Sequence, residues 1–282
     1  MPRGVPKAGF RKTKKNNKSL KVLKLKDLIA ENALKAASSR FSINERFGFV
    51  RDMVFMVASG SQASLIVSGD PGLGKSHSVI SALQAAGYKD ETLVDHAVGS
   101  RPVNKKTYQL VKGAVSAKGL YRLLATSPDS VLVFDDADDI WRDETARNVL
   151  KGALDSYSRR VLSWAKEINE EDLPRVFEYT GKIIFISNIP SGMLDSAILS
   201  RALTVDLTMT TDQKIDRMRF LCSEKDFMPE YTVGLKMKAM EIIDRFRHEA
   251  KELSLRTLIK ITRIAKEGGK NWESLAEYVL VG

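Results

Sequence analysis

Residues 69–76 of the 282-residue chain carry the pattern with the clearest chemistry. Their sequence, GDPGLGKS, matches the phosphate-binding pattern G-x-x-x-x-G-K-[ST]. Glycines at 69, 72 and 74 allow the backbone to turn its N–H groups toward an anion, and the following helix adds its positive dipole end. In this pattern Lys75 neutralises β- and γ-phosphates, and the Ser76 hydroxyl joins the coordination shell of Mg²⁺. The segment predicts a mononucleotide site.

A pair of carboxylates, Asp135 and Asp136, follows the apolar run VLVF at 131–134. Such a run predicts a strand buried in a parallel sheet, whose carboxyl end presents both acids. Beside a phosphate-binding loop, the pair is expected to hold Mg²⁺ and to activate water. The alternative is a strand end followed by a solvated acidic turn, because Asp138 and Asp139 come next.

The elements that must position these residues follow an alternating pattern of strands and helices. We predict strands at 64–68, 92–98, 131–136, 159–164, 181–188 and 203–207. We predict helices between and before them at 20–37, 44–58 (with Asn44 as cap), 75–86, 116–126, 143–157 and 194–200. This alternation indicates an α/β fold with a parallel sheet flanked by helices and with ligands at the carboxyl ends of the strands.

The pattern changes after residue 210, where strands are no longer predicted. Helices are expected at 212–224, 234–250, 254–267 and 271–280. We therefore divide the chain into a basic tail with a linker helix (1–40), an α/β nucleotide-binding domain (41–210) and a small all-α domain (211–282).

The positive charge of the chain is concentrated at its start. Residues 1–26 hold ten of the 45 Lys and Arg residues and none of the 35 acids. We interpret this tail as an arm that neutralises nucleic-acid phosphates. The alternatives are a solubilising tail, or one that docks on an acidic face of a neighbouring subunit.

Composition also excludes several classes of protein. No apolar run approaches the ~18 residues of a membrane span, and no apolar leader follows the basic start, so we expect no membrane partner. Cys222 is the only cysteine, which excludes an internal disulfide and fits a reducing compartment. The expected location is the cytoplasm, or the host cytoplasm if the chain is viral. The three histidines lack the spacing of metal ligands.

Together these features resemble AAA+ ATPases over about residues 40–282. The Walker A motif is GDPGLGKS and the Walker B motif is VLVFDD (131–136). Asn188, after IIFIS, matches the sensor 1 position. Arg201 in SAILSRALTVDL resembles the arginine finger, and Arg256 in LSLRTLIKITRIA resembles sensor 2. The helices after residue 210 are similar to the AAA+ lid, and the compact chain with a basic tail resembles ATPases of bacteriophages and mobile elements.

The resemblance implies a P-loop NTPase fold of the AAA+ type that uses ATP and Mg²⁺. It implies that Ser76 and Asp135 hold the metal, that Asp136 polarises the attacking water and that Asn188 orients this water. Arg201 would act on the ATP of a neighbouring subunit in a ring, with a hexamer as the expected form. The implied nucleotide contacts are Gly69, Asp70, Pro71, Gly72, Leu73, Gly74, Lys75, Ser76, His77 and Arg256.

The chain departs from the family at Asp136, where glutamate is usual. Because aspartate is one methylene shorter, hydrolysis is expected to be slower or to use Asp138. For Arg201 the alternative is a structural salt bridge, with Arg159 or Arg160 as the next candidate for the finger. For Arg256 the alternative is an ordinary arginine on a helix surface.

The family also suggests where a substrate would be held. Residues 100–119 occupy the usual place of a pore loop, so Lys112, Val115 and Lys118 are expected to face a ring channel. Residues 159–180 are expected to form a hairpin that grips substrate. Three hypotheses follow: a motor acting on nucleic acid, which we favour; an ATPase that remodels or loads a protein; and a switch with slow hydrolysis.

Overall fold

The computed structural model describes residues 39–94, 106–157, 159–165 and 173–282. Six parallel strands form one sheet in the order β2-β3-β4-β7-β1-β8. The strands are β1 (Ser64–Ser68), β2 (Lys89–Asp90), β3 (Thr107–Lys112), β4 (Val131–Asp135), β7 (Lys182–Ser187) and β8 (Leu203–Asp206). Strand β7 lies between β1 and β4, so the ends of all three strands meet at one edge of the sheet.

Helices cover both faces of this sheet. They are α1 (Ile43–Ser59), α2 (Lys75–Ala85), α3 (Ala117–Thr126), α4 (Glu144–Ala153) and the short α5 (Ser196–Leu199). Side chains of β1 alternate between the two cores, because Leu65 and Val67 pack with α1 and α2 while Ile66 packs with α3 and α4. The predicted α/β fold class, a P-loop parallel sheet flanked by helices, is confirmed.

The prediction was wrong at the second strand. Thr92 and Leu93 form a turn instead of the start of a strand, and residues 95–98 of the predicted element lie outside the described residues. The strands in this region are β2 and β3, and β3 (TYQLVK) was not predicted. Its first two residues are buried, but the next three are only half-buried. Such a strand lacks the continuous apolar run that identified β1, β4 and β7.

A separate antiparallel pair, β5 (Val161–Ser163) and β6 (Val176–Glu178), precedes β7. Leu162 lies opposite Phe177 in this pair. The hairpin predicted within 159–180 is therefore present, although each strand is only three residues long.

Helix α1 begins at a different cap from the one predicted. Ser42, not Asn44, is the N-cap: its hydroxyl accepts the N–H of Glu45, and the Glu45 carboxylate accepts the N–H of Ser42. Asn44 instead accepts a 2.9 Å hydrogen bond from Nη1 of Arg217. The guanidinium of Arg217 also stacks 3.8 Å from the ring centroid of Phe47, so α1 is tied to the helices that follow the sheet.

Four helices follow β8: α6 (Thr211–Ser223), α7 (Val233–Arg245), α8 (Leu255–Glu267) and α9 (Trp272–Val281). They share a third core, which includes Ile215, Ile243 and Leu258. The helix predicted to end at residue 250 ends at Arg245. None of the helices in the described part of the chain is long and apolar enough to cross a membrane.

Candidate functional site

The phosphate-binding loop joins β1 to α2 at the edge of the sheet where β1, β4 and β7 end. Gly69 and Gly72 have φ of 139° and 71°, a region that favours glycine. A Cβ on Gly69 would lie 2.6 Å from the carbonyl carbon of Leu207, so no larger residue fits without moving the backbone. The sequence prediction that these glycines shape the loop agrees with this geometry.

Lys75 is a buried cation held by oxygen acceptors. Its Nζ donates to the carbonyl oxygens of Gly69 (2.8 Å) and Asp70 (2.7 Å) and to Oδ1 of Asn188 (2.8 Å). Only 5% of the residue is exposed. Burial lowers the pKa of Lys75 to about 8, although the nearby carboxylates, Asp136 foremost, oppose this shift. The site therefore keeps an ammonium at neutral pH in a place poor in water.

The backbone of the loop is prepared for an anion. Within the described residues, no N–H group of residues 72–77 donates to a carbonyl or side chain. These donors lie where the positive dipole end of α2 adds to the charge of Lys75. The arrangement fits the phosphates of a nucleotide.

A second group of contacts centres on Asp135, which is buried at the end of β4. Its Oδ1 accepts a 2.8 Å hydrogen bond from the Ser76 hydroxyl, and its Oδ2 lies 3.2 Å from Nζ of Lys112. Hydroxyl and carboxylate oxygens beside phosphates are the ligands that Mg²⁺ takes in NTPases. In the described ranges no three acidic, histidine or cysteine residues are arranged so that they could hold a metal ion, so phosphate and water oxygens would complete such a site.

The ammonium of Lys112, a residue predicted to face a ring channel, lies 3.2 Å from a carboxylate oxygen of Asp135, and 61% of its side chain is exposed. The parallel register of β3 and β4 pairs the two residues at the ends of their strands. Val115, predicted with it, is not available to a channel, because it is only 9% exposed and belongs to the core. Lys118 is half-buried. The contact between Lys112 and Asp135 follows from the register of β3, a strand that was not predicted from the sequence.

Asp136 and Asn188 form the outer part of the same network. Nδ2 of Asn188 donates to Oδ1 of Asp136 at 2.6 Å, so one amide links Asp136 to Lys75. Asp136 has φ of 57°, a left-handed conformation that is uncommon outside glycine, and its N–H donates to the carbonyl of Ile186. Both side chains are exposed, which leaves the free carboxylate oxygen accessible to water.

Asp138, the alternative base, is engaged elsewhere. Its Oδ1 accepts a 2.7 Å hydrogen bond from the Ser187 hydroxyl, which also accepts the N–H of Ile189. Asp138 is not among the residues that line the pocket, whereas Asp136 is. The geometry favours Asp136 as the water-activating group.

Helices that follow β8 form one side of the pocket, opposite the phosphate-binding loop. The N–H of Leu255 donates to the carbonyl of Gly72 at 2.8 Å, and Lys214 pairs with Asp70 at 2.8 Å. Arg256, in the first turn of α8, lines the cavity together with His77 and Pro71. The cavity has a volume of about 230 Å³. Leu73 is buried in the core, so only its backbone can face a ligand.

Arg201 lies at the other end of the sheet. The hydroxyl of Ser64, the first residue of β1, donates to the carbonyl of Arg201 at 3.2 Å. Nη1 of Arg201 donates to the carbonyl of Ala197 at 2.7 Å, and Nε of Arg201 is buried without a partner among the described residues. Asp195 caps α5, the helix that precedes Arg201, and Asp195 also pairs with Arg147 and Lys151 of α4.

The two alternative candidates for the finger, Arg159 and Arg160, also have partners within the chain. Arg159 pairs with Glu178 across the hairpin at 3.1 Å. Arg160 donates to the carbonyls of Ala153 and Gly181 at 2.7 and 2.9 Å. Arg160 thus stabilises the junction between α4 and the sheet, and the sequence motif around residue 201 is what makes Arg201 the first candidate.

Comparison with known proteins places a phage protein among the relatives of this chain. An uncharacterised 36.7 kDa protein in the nrdC-mobD intergenic region of Enterobacteria phage T4 is 27% identical over 252 residues, covering 83% of this chain and 73% of that protein. The solved structure of C. elegans PCH-2 is similar over 84% of this chain and 67% of that chain, with a TM-score of 0.44 and 14% identity. No protein-family model matches the chain.

Proposed function

We propose that this chain is a Mg²⁺-dependent ATPase of the AAA+ type that works as a closed ring on nucleic acid. One observation carries the ATPase part: Lys75, Asn188 and Asp136 form a continuous hydrogen-bonded chain beside the Ser76–Asp135 pair. The pocket thus contains a buried cation (Lys75), the N–H groups of the phosphate-binding loop and an exposed carboxylate (Asp136). These are the parts that phosphoryl transfer to water requires.

Each residue would contribute a distinct effect. Lys75 and the loop N–H groups bind and orient the β- and γ-phosphates. Asp136, whose carboxylate is fixed by Asn188, accepts the proton of the attacking water. Mg²⁺, when held near Ser76 and Asp135, neutralises phosphate charge. Arg256 reaches the same cavity from α8, where a cation in the first turn opposes the helix dipole unless an anion lies nearby.

The ring part of the proposal rests on Arg201. Its backbone carbonyl contacts Ser64 at the amino end of β1, whereas its own pocket lies at the carboxyl end of that strand. A head-to-tail contact between copies would bring it to the pocket of a neighbour, and such contacts close into rings when their rotation allows. A hexamer is the expected form.

A second candidate, remodelling of a protein, is favoured by the hairpin. Val161 and Val176 of β5 and β6 are 49% and 59% exposed, which suits contact with an apolar segment better than with phosphates. The basic tail at 1–26 supports nucleic acid instead. We retain nucleic acid as the substrate of the main proposal.

The test of the ATPase is phosphate release by the purified chain and by Asp136→Asn. The variant should bind fluorescent ATP like the parent but turn over about 10²–10⁴-fold more slowly, because it removes the general base. Asp139→Asn is the matched control, since Asp139 is an exposed carboxylate that pairs with Arg142. Parent-like turnover by Asp136→Asn would move the base elsewhere.

The test of the substrate is the same assay with single-stranded DNA, duplex DNA, RNA or no addition. Stimulation by a nucleic acid supports the main proposal. If none of the three binds or stimulates while turnover persists, the protein-directed alternative replaces it.

A further inference from the structure

Helix α8 carries a row of cations along one side. Lys260, Arg263 and Lys266 are all exposed. At about 3.6 residues per turn and 1.5 Å per residue, they lie within an arc of about 120° and along about 9 Å of the helix axis. We call these three residues the α8 cation row.

The α8 cation row has no counter-charge of its own. In the ranges that the structure describes, none of the three side chains forms a hydrogen bond or an ion pair. Other arginines of the same helical section are paired: Arg219 lies 2.8 Å from Asp244, and Arg245 lies 3.6 Å from Glu273. The sequence of this section thus supplies acids for some cations and not for the α8 cation row.

This arrangement is unfavourable for an isolated helix. Like charges three or four positions apart repel each other, and the row has both spacings when Arg256 is counted with it. Glu267, the last residue of α8, is the only acid on the helix. An external anion running along this face would remove the repulsion.

We propose that the α8 cation row binds the phosphate backbone of nucleic acid. This inference rests on the substrate part of the proposed function. The three cations lie within about 9 Å along one side of the helix, and each strand of B-DNA carries one phosphate per about 3.4 Å of its axis, so neighbouring phosphates of one backbone lie within reach of the row. The tail at 1–26, with ten cations and no acid, provides the same kind of charge.

The position of the row gives this binding a route to the nucleotide. Helix α8 begins at the pocket, where the N–H of Leu255 donates to the carbonyl of Gly72 and Arg256 lines the cavity. A backbone held farther along the same helix therefore acts on an element that contacts the phosphate-binding loop. Nucleic acid bound there is expected to change the rate of ATP turnover.

The experiment measures affinity for a fluorescent 30-base-pair duplex over a series of KCl concentrations, using the full chain. The row variant is Lys260→Gln, Arg263→Gln and Lys266→Gln together. The control variant removes the same charge from exposed cations that lie elsewhere and form no ion pair among the described residues: Lys89→Gln, Lys225→Gln and Lys238→Gln. Thermal melting of both variants checks that the fold is intact.

The row variant should bind more weakly and flatten the slope of log K against log salt by about 0.9 per lost contact, up to about 2.7 in total. The control should keep the slope of the parent. Equal slopes for the two variants would overturn the inference. If the row variant changes the sedimentation of the assembly but keeps the parent's slope, the row is a contact between subunits. If the parent itself binds no nucleic acid, the substrate part of the proposed function fails as well.

Discussion

The two ends of strand β1 each have a cation nearby, and the two cations differ in the number of hydrogen-bond acceptors around them. At the carboxyl end, Lys75 has three acceptors within hydrogen-bond distance and lies among the carboxylates of the pocket. At the amino end, Arg201 donates to one carbonyl of α5, and its Nε has no partner in the described part of the chain. A strand of five residues, about 16 Å long, separates the two ends. The cation at one end has three acceptors, and the cation at the other end has one.

The largest expected effect tests whether these two ends meet across a subunit boundary. Arg201→Ala should bind ATP like the parent but lower turnover by a factor of roughly 10³, because a finger acts only on charge that develops in the transition state. Arg142→Ala, which removes an exposed arginine paired with Asp139, is the matched control. Steady-state phosphate release and equilibrium ATP binding separate the two quantities.

Mixing two inactive variants distinguishes a finger from a structural arginine. Arg201→Ala keeps a sound site and lacks the finger, while Asp136→Asn has the reverse defect. In randomly mixed rings about a quarter of the interfaces would join a sound site to a sound finger, so activity should return. If Arg201→Ala keeps its activity, or if the mixture stays inactive, the two ends of β1 do not meet in this way.

The site at the carboxyl end of β1 could be predicted because the sequence patterns that identify it lie within short segments. The spacing of glycines, Lys75 and Ser76 fixes the loop, and continuous apolar runs identify β4 and β7 and therefore the positions of Asp135 and Asn188. The pairing of Lys112 with Asp135 was not predictable, since it depends on β3, a partly exposed strand near the edge of the sheet. Cross-strand register is a tertiary property that periodicity alone does not reveal.

A smaller effect is expected at Asp195, which sharpens the comparison at the amino end. Its carboxylate caps the four-residue helix α5 and pairs with Arg147 (3.4 Å) and Lys151 (3.2 Å), so it orients the helix that leads to Arg201. Asp195→Asn keeps a side chain suited to capping but loses the ion pairs. Turnover should fall about tenfold, because small displacements of a catalytic group are costly.

The mixing assay shows whether Asp195 acts through the finger. If so, Asp195→Asn should regain activity when mixed with Asp136→Asn, and should gain nothing from Arg201→Ala. Restoration by Arg201→Ala instead would mean that Asp195 supports its own pocket. Asp143→Asn is the control, because Asp143 caps α4 in the same way without an ion pair among the residues described.

The smallest effect concerns the carboxyl end. Lys112 places an ammonium 3.2 Å from Asp135, where it competes with a divalent cation. Because the Lys112 side chain is 61% exposed, solvent screens the contact. Lys112→Gln should lower the Mg²⁺ concentration for half-maximal binding of fluorescent ATP by about two- to threefold, and less at high salt. Lys89→Gln, an exposed change on β2, should leave this Mg²⁺ concentration unaltered. An unchanged or higher Mg²⁺ requirement in Lys112→Gln would contradict competition.

The close approach of Gly69 to Leu207 connects the phosphate-binding loop to the segment after β8. The first residue of the phosphate-binding loop touches the backbone of the segment that leads from β8 into α6, and the N–H of Leu207 donates to the carbonyl of Ser68 at 2.8 Å. With no side chain to act as a spacer, the loop packs directly on the backbone of that segment. The absence of a Cβ at Gly69 therefore joins the phosphate-binding loop, without an intervening side chain, to the segment that leads into the helical section.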